Sequence, residues 1–173
     1  MKESVFIGLG SNVGAREENL DRAVDALSRI DAAQVLHRSS LYDSAPFGPP
    51  QPRYLNAVVQ IDCALEPAQL LTILKQIERD GGRTQGPAWA PRPIDLDILI
   101  WAGRRVAQPE LQIPHPELHK RRFVLEPLCE LAPQLAHPVL GVTVTELLAK
   151  LSAQDVVRVS SPRWPQLPEE HAR

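Results

Sequence analysis

Cysteine is scarce in this chain, since only Cys63 and Cys129 occur among its 173 residues. The two lie far apart and in apolar contexts, so they fit neither a zinc cluster nor a disulfide framework. We expect both to be free, buried thiols of a protein that works in the reducing cytoplasm.

Long apolar runs and a strong excess of one charge are also absent. No run approaches the ~20 apolar residues that a membrane-spanning helix needs, and the first residues do not resemble a signal peptide. A formal net charge of −2 argues against a large electrostatic contact with duplex nucleic acid. We therefore expect neither nucleic acid nor a membrane as a partner. We also expect a monomer rather than an oligomer.

What the chain does contain is typical of a soluble globular protein, with 43% apolar and 23% charged residues. A chain of this length is expected to form one domain with a substantial core, which we place at residues 1–160. The last segment, 161–173, carries three prolines and is expected to be frayed.

Apolar periodicity and turn residues predict the order of the first elements. The pattern indicates a strand at 4–10, a helix at 16–30, a strand at 34–42, a proline-rich loop at 44–53, a strand at 54–65, a helix from Glu66-Pro67 to Gly81-Gly82 and a strand at 94–101.

This βαββαβ order is that of the ferredoxin-like fold. We therefore predict an α+β protein whose antiparallel sheet has helices on one face, followed by C-terminal additions. The predicted additions are a helix over 117–131 that allows a break at Pro127, a helix over 143–151 that Thr143 caps, and a strand over 156–160.

The segment Trp89–Ile100 is the most informative, because Asp95 and Asp97 lie two residues apart within a run of Ile and Leu. On a strand, residues at this spacing point to the same face, with Cα atoms about 6.6 Å apart. Two ionised carboxylates on one face repel each other and resist burial, so a cation must compensate. Mg²⁺ is the natural choice, and the adjacent Arg92 is suited to phosphate. The combination indicates phosphoryl-transfer chemistry; the alternative is a strand end with two solvated aspartates.

Three further groups each have two interpretations. Tyr54 and Asn56 share a strand face and could stack on a flat heterocycle and bind its edge, or could lie on a half-buried surface. The basic cluster Lys120–Arg122 could clamp an anion or form a solvated helix face. His115 and His119 are four residues apart, but no third metal ligand is evident, so we favour His115 as a cap or phosphate donor over a zinc ligand.

Taken in order, these residues resemble those of the 6-hydroxymethyl-7,8-dihydropterin pyrophosphokinases of folate biosynthesis. The block Pro91-Arg92-x-x-Asp95-Leu96-Asp97 is the specific part of the resemblance, whereas the glycine-rich segment Gly8–Asn12, which we interpret as a tight turn, is not. The other matching segments are Tyr54-Leu55-Asn56-Ala57, Ile77-Glu78-x4-Arg83 and Pro114-His115-x5-Arg121-x-Phe123.

The resemblance implies that pyrophosphate is transferred from ATP to the hydroxymethyl group of the pterin, with release of AMP. It also implies that Asp95 and Asp97 hold two Mg²⁺ ions and take part in catalysis with Arg83 and Arg92. The residues that it implies for ATP binding are Leu71, Glu78, Arg83, Arg92, Ile98, His115 and Arg121. Those that it implies for pterin binding are Ser44, Ala45, Phe47, Tyr54, Asn56, Trp89 and Phe123.

One position departs from the family's pattern, because Gln85 stands where a second basic residue is usual. We expect a slower step in the closed state of the loop that ends at Trp89, or compensation by Arg92 or Arg104, rather than lost activity. One alternative is a nucleotidyltransferase of the polymerase-β type, whose Asp-x-Asp pair would follow Gly-Ser far more closely. The other is a non-enzymatic nucleotide- or RNA-binding module on the same fold, which would need exposed aromatic residues on the central strands.

Overall fold

A computed structural model describes residues 1–84, 86–87 and 90–164 of the chain. Its elements follow in the order β1 (Glu3–Ser11), α1 (Arg16–Ser28), β2 (Ala33–Arg38), β3 (Leu41–Ser44), β4 (Tyr54–Cys63), α2 (Pro67–Asp80), β5 (Asp95–Trp101), β6 (Val106–Gln108), β7 (Leu111–Ile113), a 3₁₀ turn (Leu118–Lys120), α3 (Arg122–Leu131), α4 (Val144–Lys150) and β8 (Val156–Val159). The predicted α+β class is confirmed.

Six strands form one antiparallel sheet in the order β5-β1-β4-β3-β8, and β2 pairs with the C-terminal part of β4 next to β3. This is the arrangement that the split βαβ pattern predicts. The sequence predicts one strand over 34–42, but the structure has two, because Ser39 interrupts the ladder. The backbone N–H of Ser39 donates to Val58 O, and its Oγ accepts from Val58 N–H, at 2.9 Å each.

Helices cover both faces of the sheet, although the sequence predicts them on one face only. Helices α1 and α2 pack against the face that carries Val5, Ile7 and Leu9 of β1. The C-terminal additions α3 and α4 bury the opposite face in a second core, together with Phe6 of β1 and Val58 of β4. Alternate residues of β1 therefore serve two cores, which explains its nearly continuous apolar run.

Strand β5 contains an irregularity just after the predicted aspartates. Ile98 pairs with Ile7 and Ile100 pairs with Phe6, so Leu99 is an extra residue opposite the junction of its two partners. Such a bulge changes the face to which the following side chains point. It lets Leu99 and Ile100 both pack into the second core. The two aspartates, which lie two and four residues before Leu99, share its face of the sheet.

The C-terminal helices match the prediction in part. The predicted helix over 117–131 begins as the 3₁₀ turn and continues as α3, which runs through Pro127 instead of breaking there. Thr143 caps α4 as predicted, because its Oγ1 accepts from Glu146 N–H and the Glu146 carboxylate accepts from Thr143 N–H. Strand β8 follows where the last strand is expected.

Residues 161–164, which the sequence analysis assigns to a frayed tail, pack on the body of the protein. Trp164 is buried, its indole N–H donates to Ser39 O at 2.8 Å, and the guanidinium of Arg38 lies 4.5 Å from its ring centroid. The remainder of the expected tail, 165–173, lies outside the described residues.

Two of the expectations from the sequence concern the cysteines and membrane-spanning helices. Both cysteines are free, and Cys63 is buried as predicted. Cys129 is only half-buried, because it lies on the side of α3 that meets Thr145 of α4 near the protein surface. Across the described ranges, no helix is long and apolar enough to cross a membrane.

We expect Thr143→Ala to lower the free energy of unfolding by about 1 kcal/mol, because it removes the N-cap of α4. Thermal unfolding would measure the change. Thr72→Ala is the matched control, since the Oγ1 of Thr72 donates to Ala68 O inside α2, where alanine is the better helix former. An equal loss of stability in both variants would contradict a capping role for Thr143.

Candidate active site

A cavity of about 350 Å³ opens at one end of the sheet, between β1, β4, β5, the loop that follows β3 and the start of α3. It brings together most of the residues that the sequence analysis implies for ligand binding. The predicted residues that line it are Ser44, Ala45, Phe47, Tyr54, Asn56, Arg92, Asp95, Asp97, Arg121 and Phe123. Residues implied for the pterin and residues implied for the phosphates therefore share one cavity.

Other predicted residues are not part of this lining. The ATP residues that lie outside it are Leu71, Glu78, Arg83, Ile98 and His115. The side chain of Ile98 is buried in the first core, and that of Leu71 packs, partly buried, against the same core. Trp89 and Gln85, on which the predictions about loop closure depend, lie outside the described residues.

Two glycines of β1 lie opposite the aspartates and form the floor of the cavity. Gly8 pairs with Asp97, and Gly10 pairs with Asp95. A Cβ on Gly10 would lie 3.4 Å from Asn56 Oδ1, so a side chain there would occupy the space between strands β4 and β5. The prediction that these glycines form a tight turn is wrong, because they lie within β1. Their spacing of two residues, the same as that of the aspartates, is the signal that places them on one face.

Asp95 is paired with arginines from two sides. Its Oδ1 accepts from Arg83 at 3.0 Å and from Arg92 at 3.1 Å. Arg83 also donates to the carboxylate of Glu78, whose other oxygen accepts from Leu96 N–H at 2.9 Å. Glu78 therefore attaches α2 to β5 and holds Arg83 beside the aspartates.

Asp97 lies in a region of negative potential. Burial, followed by the negative charges of Asp95 and Glu78, raises the pKa of Asp97 from its ordinary range to about 7. A divalent cation with oxygen ligands fits two such carboxyl groups. In the parts of the chain that the structure describes, no group of three or more His, Cys, Asp or Glu side chains could hold a metal alone. An ion here would therefore share the aspartates with oxygen atoms of a ligand.

Aromatic rings and a buried amide also line the cavity. The rings of Phe47 and Phe123 have centroids 5.6 Å apart and planes inclined at 46°. Asn56 donates its two amide hydrogens to Tyr42 O at 3.1 Å and to Ser44 Oγ at 2.8 Å. It can therefore offer a ligand only its Oδ1, an acceptor that suits the N–H groups at the edge of a heterocycle.

Asn12 connects the two sides of the cavity, a role that the sequence analysis did not identify. It is 2% exposed, and its Oδ1 accepts from Arg92 N–H at 2.7 Å. Its Nδ2 donates to Gln51 Oε1 at 2.9 Å and to Pro52 O at 3.2 Å. One buried amide thus joins the proline-rich loop to the segment that precedes the aspartate strand. Nothing in the local pattern indicates this, since Gln51 lies 39 positions away.

His115 is held next to β5 in a defined tautomer. Its backbone N–H donates to Leu99 O at 2.8 Å, and its ring Nδ1 accepts from Glu117 N–H at 3.1 Å, so the ring hydrogen lies on Nε2. Burial, and next the positive charge of Arg121, lowers the pKa of His115 to about 4. The ring is therefore neutral at pH 7 and can donate its Nε2–H to an anion.

Known proteins of one family share this sequence pattern. The family model described as 7,8-dihydro-6-hydroxymethylpterin-pyrophosphokinase (HPPK) matches residues 6–133. A 2-amino-4-hydroxy-6-hydroxymethyldihydropteridine pyrophosphokinase of Pseudomonas aeruginosa is 39% identical over 160 residues, covering 92% of this chain and 98% of that protein. Its counterpart in a Synechocystis species is 38% identical over 162 residues, covering 94% of this chain and 80% of that one.

Fused proteins contain the same unit. The mitochondrial folate synthesis bifunctional protein of Pisum sativum is 45% identical over 130 residues, 75% of this chain and 25% of that protein. A crystal structure of HPPK-DHPS from Plasmodium falciparum matches with a TM-score of 0.71 at 15% identity, over 87% of this chain and 45% of that one. An identity this low shows the common fold alone, which is the ferredoxin-like type predicted from the sequence.

The fold and the sequence match together define a pyrophosphokinase. The chain belongs to the 7,8-dihydro-6-hydroxymethylpterin-pyrophosphokinase family. This confirms the predicted family and the predicted class of activity, pyrophosphoryl transfer in folate biosynthesis. The alternative of a non-enzymatic binding module is not favoured.

We expect the ring of His115 to remain neutral until the pH falls towards about 4, since burial lowers its pKa. Between pH 6.5 and 4 the unfolded chain then binds the extra proton, so this group makes stability decrease as the pH falls. Titration of the ring by NMR would measure the pKa directly, and the thermal midpoint of His115→Gln should fall less than that of the wild type between pH 7 and pH 5. The same substitution at His119 is the matched control. A His115 ring that titrates near 6.5 would contradict the assignment.

Proposed function

We propose that this protein transfers the pyrophosphoryl group of ATP to the hydroxymethyl group of 6-hydroxymethyl-7,8-dihydropterin and releases AMP. The observation that carries the proposal is that one cavity contains two kinds of subsite. Aromatic rings and the acceptor of Asn56 line the same cavity as Asp95, Asp97 and arginines. A heterocycle bound against the rings would hold its substituent near phosphates bound at the carboxylates, and such positioning is a main source of rate enhancement.

The pterin ring would stack on Tyr54 and Phe123, which both line the cavity. Aromatic faces bind flat heterocycles well, and Asn56 Oδ1 would accept from an N–H at the edge of the ring. The remaining proposed pterin contacts are Ser44, Ala45 and Phe47, which line the same cavity. Trp89 stays a prediction, because it is outside the described residues.

The triphosphate would lie along the basic side of the cavity. Arg92 and Arg121 line it, and their guanidinium groups can bind phosphate oxygens in pairs. Arg83 and His115 are proposed to reach the phosphates from just outside the lining. In support, the charges of both Arg121 and Asp95 act on the pKa of His115, so these groups are close in space.

The other residues proposed for the nucleotide site lie outside the lining of the cavity. Leu71 and Ile98 stay predictions as contacts of the nucleoside, Ile98 through its backbone, because both side chains pack on the core. Glu78 has both carboxylate oxygens engaged, one by Leu96 N–H and one by Arg83. We therefore propose that Glu78 acts through Arg83 rather than on ATP itself.

Asp95 and Asp97 would hold two Mg²⁺ ions together with the phosphate oxygens. The donor set fits, because hard carboxylate oxygens suit Mg²⁺, and the negative charges of Asp95 and Glu78, which after burial raise the pKa of Asp97, support a cation beside it. Bound Mg²⁺ offsets the charge of the transferred group and makes a hydroxyl oxygen a better nucleophile.

The chain's own residues would then position the reactants and stabilise charge. The hydroxymethyl oxygen attacks the β-phosphorus of ATP, and AMP leaves in line with it. Arg92, now paired with Asp95, would turn its donors to the phosphate as charge develops there. Among the described residues, no neutral histidine or glutamate of the lining is placed to act as a general base, which leaves Asp97 as the candidate proton acceptor.

The proposal also covers the oligomeric state and the location of the protein. We expect the protein to act as a monomer in the cytoplasm, on small-molecule substrates. Size-exclusion chromatography with light scattering would establish the oligomeric state.

We expect Asp95→Asn and Asp97→Asn each to lower AMP formation at least about 100-fold, because each removes a charge from the Mg²⁺ site. Stability should be unchanged or higher, since the substitutions relieve repulsion between carboxylates. A coupled AMP assay with varied Mg²⁺, and thermal unfolding, would measure both effects. Asp25→Asn, on the exposed side of α1, is the matched control. Near wild-type turnover in either aspartate variant would refute the metal assignment.

We expect Phe123→Ala to weaken pterin binding by about 1–3 kcal/mol while ATP binding changes little, because stacking on a desolvated ring is lost. Phe123→Leu, which keeps apolar volume without a ring face, should lose nearly as much. Calorimetry with a non-hydrolysable ATP analogue present would measure both ligands. An equal loss for the two ligands would indicate a disturbed fold and contradict a specific pterin contact.

A further inference from the structure

Two consecutive residues between α4 and β8, Gln154 and Asp155, contact both walls of the cavity. The first contacts the wall formed by α3. Gln154 Oε1 accepts from Arg122 N–H at 2.9 Å, and its Nε2 donates to Lys120 O at 3.0 Å. These two bonds fix the first turn of α3, from which Phe123 projects into the cavity.

Asp155 contacts the opposite wall, the loop between β3 and β4. Its two carboxylate oxygens accept from the guanidinium of Arg53 at 2.6 and 2.9 Å. Its backbone O accepts from Ala45 N–H at 3.0 Å. Ala45 opens the loop and Arg53 closes it, so Asp155 holds both ends of the segment that carries Phe47. Arg53 is also bonded to Asp43 of β3, which aligns its guanidinium.

The free energy that these contacts give to folding is small. The side chains of Arg53 and Asp155 are 41% and 57% exposed, and an exposed ion pair contributes little to stability even when it is bidentate. Their geometry nevertheless constrains the loop, which is rich in proline and has no regular structure of its own. A loop that must be ordered on binding reduces affinity, and one that is held in place beforehand does not.

We infer that Gln154 and Asp155 form a positioning link that sets the spacing between the two walls of the pterin slot. This inference rests on the proposed function, since it concerns the site where the pterin would stack. The link runs in series from α3 through Gln154, one peptide unit and Asp155 to the loop. The rings of Phe47 and Phe123, one from each wall, contact each other as a tilted pair with centroids 5.6 Å apart. Phe123, on which the pterin is proposed to stack, therefore packs against the loop that Asp155 holds, and a stacking site depends on such a position being held closely.

The series arrangement leads to a distinctive experiment with Gln154→Ala, Asp155→Ala and the double variant. Each single substitution should raise the dissociation constant for 6-hydroxymethylpterin about tenfold, measured by calorimetry with a non-hydrolysable ATP analogue present. The dissociation constant of the analogue should change less than about twofold. Because both side chains act in one connection between the two walls, the double variant should lose clearly less than the roughly 100-fold that independent contributions would multiply to.

Two further variants separate the link from a general effect on structure. Asp155→Glu keeps the carboxylate and should recover most of the affinity lost in Asp155→Ala. Glu66→Gln is the matched control, because Glu66 forms a similar pair with Arg104, at 2.7 and 3.3 Å, near Glu3 at the other end of β1. It should leave both dissociation constants unchanged.

The outcomes distinguish this inference from the proposed function. If wild-type protein neither binds the pterin nor forms AMP, the proposed function fails. If the wild type binds normally, the inference is overturned by unchanged pterin affinity in the single variants, by an equal loss of the ATP analogue, or by multiplicative losses in the double variant. Thermal midpoints of all variants, measured in parallel, should lie close to that of the wild type.

Discussion

Two carboxylates on one face of a largely buried strand are the constraint on which the site depends. Burial, followed by the negative charges of Asp95 and Glu78, raises the pKa of Asp97. The surrounding residues offset this negative charge and leave room beside it. Arginines approach Asp95 from the end of α2 and from the segment before β5. Strand β1 leaves room on the opposite side by having glycine at both paired positions. The cavity is open beside these strands because glycine has no side chain to fill it.

The second core explains why the site is closed on the side away from α1 and α2. Helix α3 covers the face of the sheet that carries the aspartates, and its first turn brings Arg121 and Phe123 over the end of that face. Glu130, further along α3, accepts from Tyr42 and from Ser40 at the break between β2 and β3. These bonds attach the C-terminal part of the helix to the sheet, and the packing of the second core holds the rest of it against the strands.

Much of this could be predicted from the sequence, because the signals are periodic. The spacing of Asp95 and Asp97 places both on one face, and the βαββαβ order follows from apolar patterning. The same reasoning placed helices on one face only, although the continuous apolar run of β1 indicates burial on both. It also assigned Gly8 and Gly10 to a turn, because glycine is common in turns as well as in strands next to a ligand.

Other contacts leave no trace in any local pattern. Asn12 and Gln51 are 39 positions apart, and Arg53 and Asp155 are 102 apart. Their side chains meet only because the fold brings irregular segments together, and polar residues in loops have many partners within reach. Periodicity describes which face of an element is buried, whereas these bonds depend on where the elements end. Positioning residues of this kind become visible only in three dimensions.

The attachment of Glu78 also affects how this protein meets other copies of itself. Strand β5 lies at the margin of the sheet, and a margin with free N–H and C=O groups is a template for pairing with another chain. Here the N–H of Leu96 donates to the carboxylate of Glu78, and the C=O of Leu99 accepts from the backbone N–H of His115. The strand that carries Asp95 and Asp97 is thereby shielded from intermolecular β-pairing at these positions. Loss of Glu78 would expose the edge of β5 at Leu96, and self-association would then compete with folding as the protein concentration rises.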